Sequence, residues 1–105
     1  MSEDDWTVIC VVRKDLKMGA GKVAAQCIHA SLGCFERTPQ IALVFKAPDL
    51  MTLIALKEKA AQSGLHYHLQ VDAGFTQVAS GTPTVLGVAG PRRYINYLTS
   101  DLSLW

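Results

Sequence analysis

Lys22 is the residue from which a chemical reading starts. It follows Gly19-Ala20-Gly21 and begins a segment in which Gln26 and His29 recur at four- and three-residue steps. A helix starting there carries Lys22, Gln26 and His29 along one stripe. Helix N-termini favour negative charge, so a lysine in that position points to a functional demand. The glycines before it expose backbone N–H groups that welcome an anion. A nucleotide phosphate loop is excluded: it needs a glycine five residues before Gly21 and a Ser or Thr after the lysine, where Leu16 and Val23 stand. The second chemical segment is Asp72-Ala73-Gly74-Phe75-Thr76-Gln77. Asp72 is a carboxylate ending an otherwise apolar run, and it is also well suited to an Asx turn holding Gly74. The spacing alone thus describes an anion-friendly loop facing a carboxylate, with Thr76, Thr82 and Thr84 as nearby hydroxyls.

Other candidates are weaker. Arg13, Lys14, Lys17 and Lys22 cluster within ten residues and Arg92-Arg93 form a second basic pair. Such groups can neutralise phosphates, although they equally suit a solvated surface. The formal net charge of +1 favours neither reading. His66 and His68 alternate around Tyr67 without a carboxylate or cysteine at ligand spacing, so they read as structural, and no metal site is expected. His29 by itself reads as a partly buried structural histidine.

These residues need elements to position them. Trp6 to Val12 is a continuous β-branched run, expected as a strand buried on both faces. A polar stretch, Arg13 to Gly21, leads to a helix from Lys22 to Gly33. Ile41 to Phe45 reads as a second buried strand. Asp49 suits the N-cap of a second helix that Gly64 stops. His66–Val71 and Pro83–Val88 read as third and fourth strands, Pro91 opens a last helix through Tyr97, and Asp101–Trp105 is a tail. The order β-α-β-α-β-β-α predicts a single α/β domain over 1–105: a mixed four-stranded sheet with helices packed on its faces, the acidic residues 1–5 forming a flexible tail. In an open sheet of this kind ligands bind beyond the carboxyl ends of the strands, where the Lys22 and Asp72 segments converge if their strands are neighbours.

Half of the 105 residues are hydrophobic, enough for a packed core. Cys10, Cys27 and Cys34 lack metal-ligand spacing and sit in apolar surroundings, as reduced thiols do. The acidic start is unlike a signal or transit peptide, and no run is long enough to span a bilayer. The expectation is a soluble cytoplasmic protein.

The stretch from Val11 to Ala30, VVRKDLKMGAGKVAAQCIHA, closely resembles the opening signature of the archaeal and eukaryotic peptidyl-tRNA hydrolases. Lys46-Ala47-Pro48-Asp49 looks like the start of that family's next helix. Asp72–Gln77 and Gly81–Gly87 resemble its second signature, and the similarity runs in order over nearly the whole chain. The resemblance implies hydrolysis of the ester joining a peptide to the terminal ribose of tRNA, a homodimer, and no metal or organic cofactor. It implies catalytic roles for Lys22, Asp72, Thr76 and Thr84, with Arg13, Lys17, Gly19, Gly21, Gln26 and His29 on the substrate side. Ester hydrolysis needs an activated water and donors for the developing oxyanion. Asp72 would orient or deprotonate the water, Lys22 would offset negative charge, and a threonine would donate.

Three departures from the family pattern stand out. Ala20 replaces a usual second lysine, Phe75 replaces a usual basic residue, and Phe35–Gln40 is too short for the extra helix most members carry before the second strand. The first two remove positive charge from the expected tRNA path. The competing reading is a non-catalytic relative serving as an RNA- or protein-binding module. A hydrolase of some other ester or amide is the third.

Overall fold

The computed structural model describes residues 2–74 and 78–105. Its elements run β1 (Trp6–Arg13), α1 (Ala20–Gly33), β2 (Ile41–Ala47), α2 (Leu50–Gln62), β3 (His66–Val71), β4 (Pro83–Pro91), α3 (Arg92–Leu98) and β5 (Ser103–Leu104). The sheet order is β3-β4-β1-β2-β5. β1 and β2 are parallel, joined by the crossover helix α1, and the other pairings are antiparallel. Two strands joined through a helix must run parallel, whereas β3 reaches β4 through a single loop and reverses.

The sheet therefore has five strands among the described residues, where four were expected. The difference is the C-terminal segment, read from sequence as a tail. Ser103 and Leu104 pair with Lys46 and Phe45, and the Trp105 amide donates to the Val44 carbonyl at 2.9 Å. Two residues of strand leave no periodic signal, and only the exposed edge of β2 gives them a partner. The N-terminal residues, read from sequence as a tail, are hydrogen-bonded to the start of α3. Glu3 and Asp5 carbonyls accept from the Arg93 and Arg92 amides at the start of α3, at 3.0 and 2.9 Å, and Asp4 pairs with Arg93 at 2.8 Å. A helix N-terminus leaves backbone donors without intrahelical partners, and this segment satisfies two of them.

Alternation along the central strands divides the core. One face carries Ile9, Val11, Phe45, Leu86 and Val88 under α2 and α3, with Leu53, Leu56, Ala60, Ile95 and Leu98 completing the layer. The other carries Cys10, Val12 and Val85 under Val23 and Ala30 of α1. Asp49 caps α2 as expected, accepting from the Thr52 amide at 2.8 Å. Gly87 fixes how closely α1 approaches the sheet, because a Cβ there would lie 2.5 Å from the Ala30 carbonyl oxygen.

The second strand corrects the expectation of burial. Ala42, Leu43 and Val44 are exposed. α1 packs on β4, β3 and β1 and stops short of β2, and the short link from Phe35 to Gln40 supplies no further helix to cover it. Ile28 and Leu32 of α1 and Phe35 in the link that follows it are exposed as well.

Candidate active site

The loop after β1 rises from Arg13, is pinned where the Lys14 amide donates to the Ala47 carbonyl at 2.9 Å, and enters α1 at Ala20. Gly19 is the N-cap residue, with no side-chain cap. Lys22 is therefore the third residue of the helix rather than the first. β3 ends two strands away and delivers Asp72. The Lys22 ammonium pairs with Asp72 Oδ1, with the two side chains 10% and 1% exposed. Asp72 Oδ2 accepts from the Gly74 amide at 2.6 Å, the Asx turn anticipated from the sequence. Gly74 has a φ of 86°, and a Cβ would meet Ser80 at 2.7 Å, so glycine is required on both grounds. The loop is closed at its base by the Asp72 amide donating to Thr82 O and the Gly81 amide donating to Asp72 O, both at 2.8 Å.

A buried lysine near a helix N-terminus is doubly unfavourable until a carboxylate sits beside it. Asp72 supplies that carboxylate, and the pairing works in both directions. The Lys22 ammonium holds the Asp72 carboxyl below its ordinary range; burial opposes that shift and the Gly74 amide reinforces it. Asp72 is therefore a carboxylate at neutral pH.

Thr84 and Gln26 form a second layer. Thr84 is fully buried, and its hydroxyl lies 2.6 Å from Gln26 Oε1 and 3.3 Å from the Gln70 carbonyl. With its proton directed to Gln26, Thr84 fixes the amide of a side chain one helical turn from Lys22. The sequence named both residues without linking them, because the link crosses from α1 to β4.

Arg13 is committed within the fold. It forms a bidentate pair with Asp15 at 3.1 and 2.7 Å, holding that carboxyl below its usual range, and donates to the Pro83 carbonyl at 3.1 Å. It thus ties the end of β1 to the start of β4. Lys17 adopts a left-handed φ of 53° and lines a cavity between the ends of β1 and β2, away from Asp72. Gly21 is exposed, and a Cβ there would meet nothing within 4 Å. His29 is exposed on α1, one turn beyond Gln26. Thr76, with Phe75 and Gln77, lies outside the described residues. His68 packs over Gly33 and lies 3.0 Å from Gln70 Oε1, while His66 lies 3.8 Å from Glu36. The three cysteines are free thiols. No helix of the described residues is long and apolar enough to cross a membrane.

Comparison with known proteins places the chain in a family. The family model described as peptidyl-tRNA hydrolase PTH2 matches residues 6–105. The human mitochondrial peptidyl-tRNA hydrolase 2 is 44% identical over 96% of the chain and 65% of its own length. The peptidyl-tRNA hydrolase of Methanothermobacter thermautotrophicus is 37% identical over 91% of the chain and 96% of its own length. The chain spans just under two thirds of the human, bovine and mouse relatives. The human alignment runs over 116 positions against a chain of 105, so the relative carries residues this chain lacks. A solved protein of unknown function from Agrobacterium tumefaciens strain C58 has the same fold, with a TM-score of 0.61 at 10% identity over 96% of this chain and 98% of that one. The chain belongs to the PTH2 family of peptidyl-tRNA hydrolases.

Proposed function

We propose that this domain hydrolyses the ester between a peptide and the terminal ribose of tRNA, releasing tRNA for reuse. The observation that carries the reading is the buried Lys22–Asp72 pair beyond the strand ends, in a chain of this family. Water adds to the ester carbonyl, the carbonyl oxygen gathers negative charge, and the ribose hydroxyl leaves. Lys22 stabilises that oxyanion, a role worth on the order of 10²–10³ in rate for a preorganised donor. Asp72, held below the usual carboxylate range, is a weak proton acceptor at neutral pH. Its part is to hold and aim Lys22 and to orient water, rather than to act as a strong base. Thr84, having no exposed surface, acts as a positioning residue by holding Gln26, which is itself buried one helical turn from Lys22. Thr76 is proposed as the hydroxyl that contacts substrate, on family resemblance. Lys17, Gly19, Gly21 and His29 line the approach of the tRNA end, while Arg13 shapes it from within. No metal or cofactor enters the reaction.

The domain works in the cytoplasm as a homodimer. Free thiols suit a reducing compartment, and the exposed apolar strip of Ile28, Leu32 and Val44 favours association. Sedimentation at micromolar concentration checks the dimer; a single monomeric boundary would exclude it.

Release of tRNA from purified peptidyl-tRNA tests the activity, comparing wild type with Lys22→Ala and Asp72→Ala. Turnover by the wild type alone is expected. A folded wild type without turnover that still bound RNA in a salt-sensitive way would transfer the reading to an RNA-binding module.

A further inference from the structure

A second cationic region lies on the other side of β1. A cavity of about 470 Å³ opens beyond the carboxyl ends of the parallel strands β1 and β2, lined by Lys14, Asp15, Lys17, Lys46, Pro48 and Asp101 among others. Its charges are not balanced within the fold. Arg13 and Asp15 neutralise one another at 2.7 Å. Asp49, close by, is turned to Thr52 at the cap of α2. That leaves Lys14, Lys17 and Lys46 against Asp101, and none of the three lysines has an ion-pair partner among the described residues. Three lysines lining one cavity form a like-charge group that folding alone gives no reason to gather.

Two features show that the cavity is built rather than incidental. Lys17 holds a left-handed backbone, with its amide donating to the Lys14 carbonyl at 3.1 Å. That conformation costs on the order of 1–2 kcal/mol for a residue with a Cβ, and such strain gathers at functional positions. Beside the lysines, Lys14 Nζ lies 5.1 Å from the ring centroid of Trp105, which β5 pairing anchors to the edge strand and which is half exposed. An ammonium cluster beside an exposed indole suits a sugar-phosphate chain with an unstacked base.

We infer that Lys14, Lys17 and Lys46 form a subsite for a backbone phosphodiester of the tRNA acceptor end, with the Trp105 ring as a platform for an adjoining base. This rests on the tRNA reading above and adds a binding locus separate from Lys22 and Asp72. β3, which delivers Asp72, lies two strands from β1, so the two regions are separated by a few strand spacings of about 4.8 Å each. A phosphate near the 3′ end can occupy the cavity while the ester lies at the catalytic pair.

The test pairs binding with turnover for wild type, Lys14→Ala/Lys46→Ala and Trp105→Ala, with thermal melts to establish that each variant is folded. The logarithm of the association constant for deacylated tRNA is measured against the logarithm of salt concentration. Each lost phosphate contact lowers the slope by about 0.7–0.9, so the double variant should lose about 1.5 and bind about ten-fold more weakly at physiological salt. Trp105→Ala should weaken binding about five-fold or more without changing the slope. In turnover, the double variant's loss should lie in KM and be at least about five times larger for peptidyl-tRNA than for peptidyl-adenosine, which has no phosphodiester. An unchanged slope in the folded double variant overturns the subsite, as does an equal loss on both substrates. The binding arm decides this even if the wild type proves unable to release tRNA, so the subsite and the hydrolase reading can fail separately.

Discussion

Lys22 and the trio Lys14, Lys17 and Lys46 stand on opposite sides of the same strand end, yet the fold treats their charges differently. Lys22 is buried against Asp72, its charge matched and its position fixed by α1 and the closed loop after β3. The trio lines an open cavity without ion-pair partners among the described residues. The buried pair is suited to a single, oriented act on a reacting carbonyl. The open trio is suited to a diffuse polyanion, where each ammonium adds an increment and none is indispensable. On the proposed reading, rigid charge serves chemistry and free charge serves affinity.

The comparison breaks most readily at Lys22. Lys22→Met should lower kcat on peptidyl-tRNA by about 10²–10³ and leave KM within a few-fold, as steady-state kinetics would report. A loss confined to KM would make Lys22 one more phosphate ligand and erase the distinction. Gly87→Ala comes next, since its Cβ would press on the Ala30 carbonyl and push α1 off the sheet. The expected cost is about 1–3 kcal/mol by urea unfolding. Because α1 carries Lys22, kcat should fall as well, whereas the salt slope of tRNA binding should hold. Thr84→Val removes the hydroxyl that holds Gln26. It should cost about 1–3 kcal/mol and lower kcat about ten-fold, without altering tRNA affinity.

The smallest effect is on pH dependence. The Asp72 pKa is depressed in the folded protein by Lys22, so its contribution to stability is present above the unfolded value of about 3.9 and is lost as pH falls through the folded value. Acid unfolding of Asp72→Asn should therefore be shallower than that of wild type below about pH 4. Between pH 5 and 8, Asp72 should add no limb to the kcat/KM profile. A limb near pH 6–7 that Asp72→Asn removed would make Asp72 a tuned general base after all.

Much of this was legible in the sequence, and the limits were physical. Strand and helix order followed from periodicity and from Asp49, Gly64 and Pro91 as punctuation. Asp72 with Gly74 announced its own turn. What escaped were relations across elements. Whether β2 is covered depends on how far α1 reaches, so an apolar run that looked buried proved exposed at Leu43 and Val44. Strand β5 depends on a free edge, and two residues carry no period. Arg13 looked like a surface cation until Asp15 and the Pro83 carbonyl were seen to claim it. Lys46, absorbed into a motif that announced the next helix, lies in β2 and lines the lysine cavity. Its signal was a charge interrupting an apolar strand.

The division between catalytic and binding charge is tested most directly by one pair of rate measurements on purified peptidyl-tRNA, at saturating and at limiting substrate, for Asp72→Asn beside Lys14→Ala/Lys46→Ala. Asp72→Asn, which leaves the oxyanion donor Lys22 unaimed, should be slow under both conditions, by about 10²-fold or more. The double lysine variant should recover to near the wild-type rate once substrate saturates. A double variant that stayed slow at saturation, or an Asp72→Asn protein that recovered, would contradict the account.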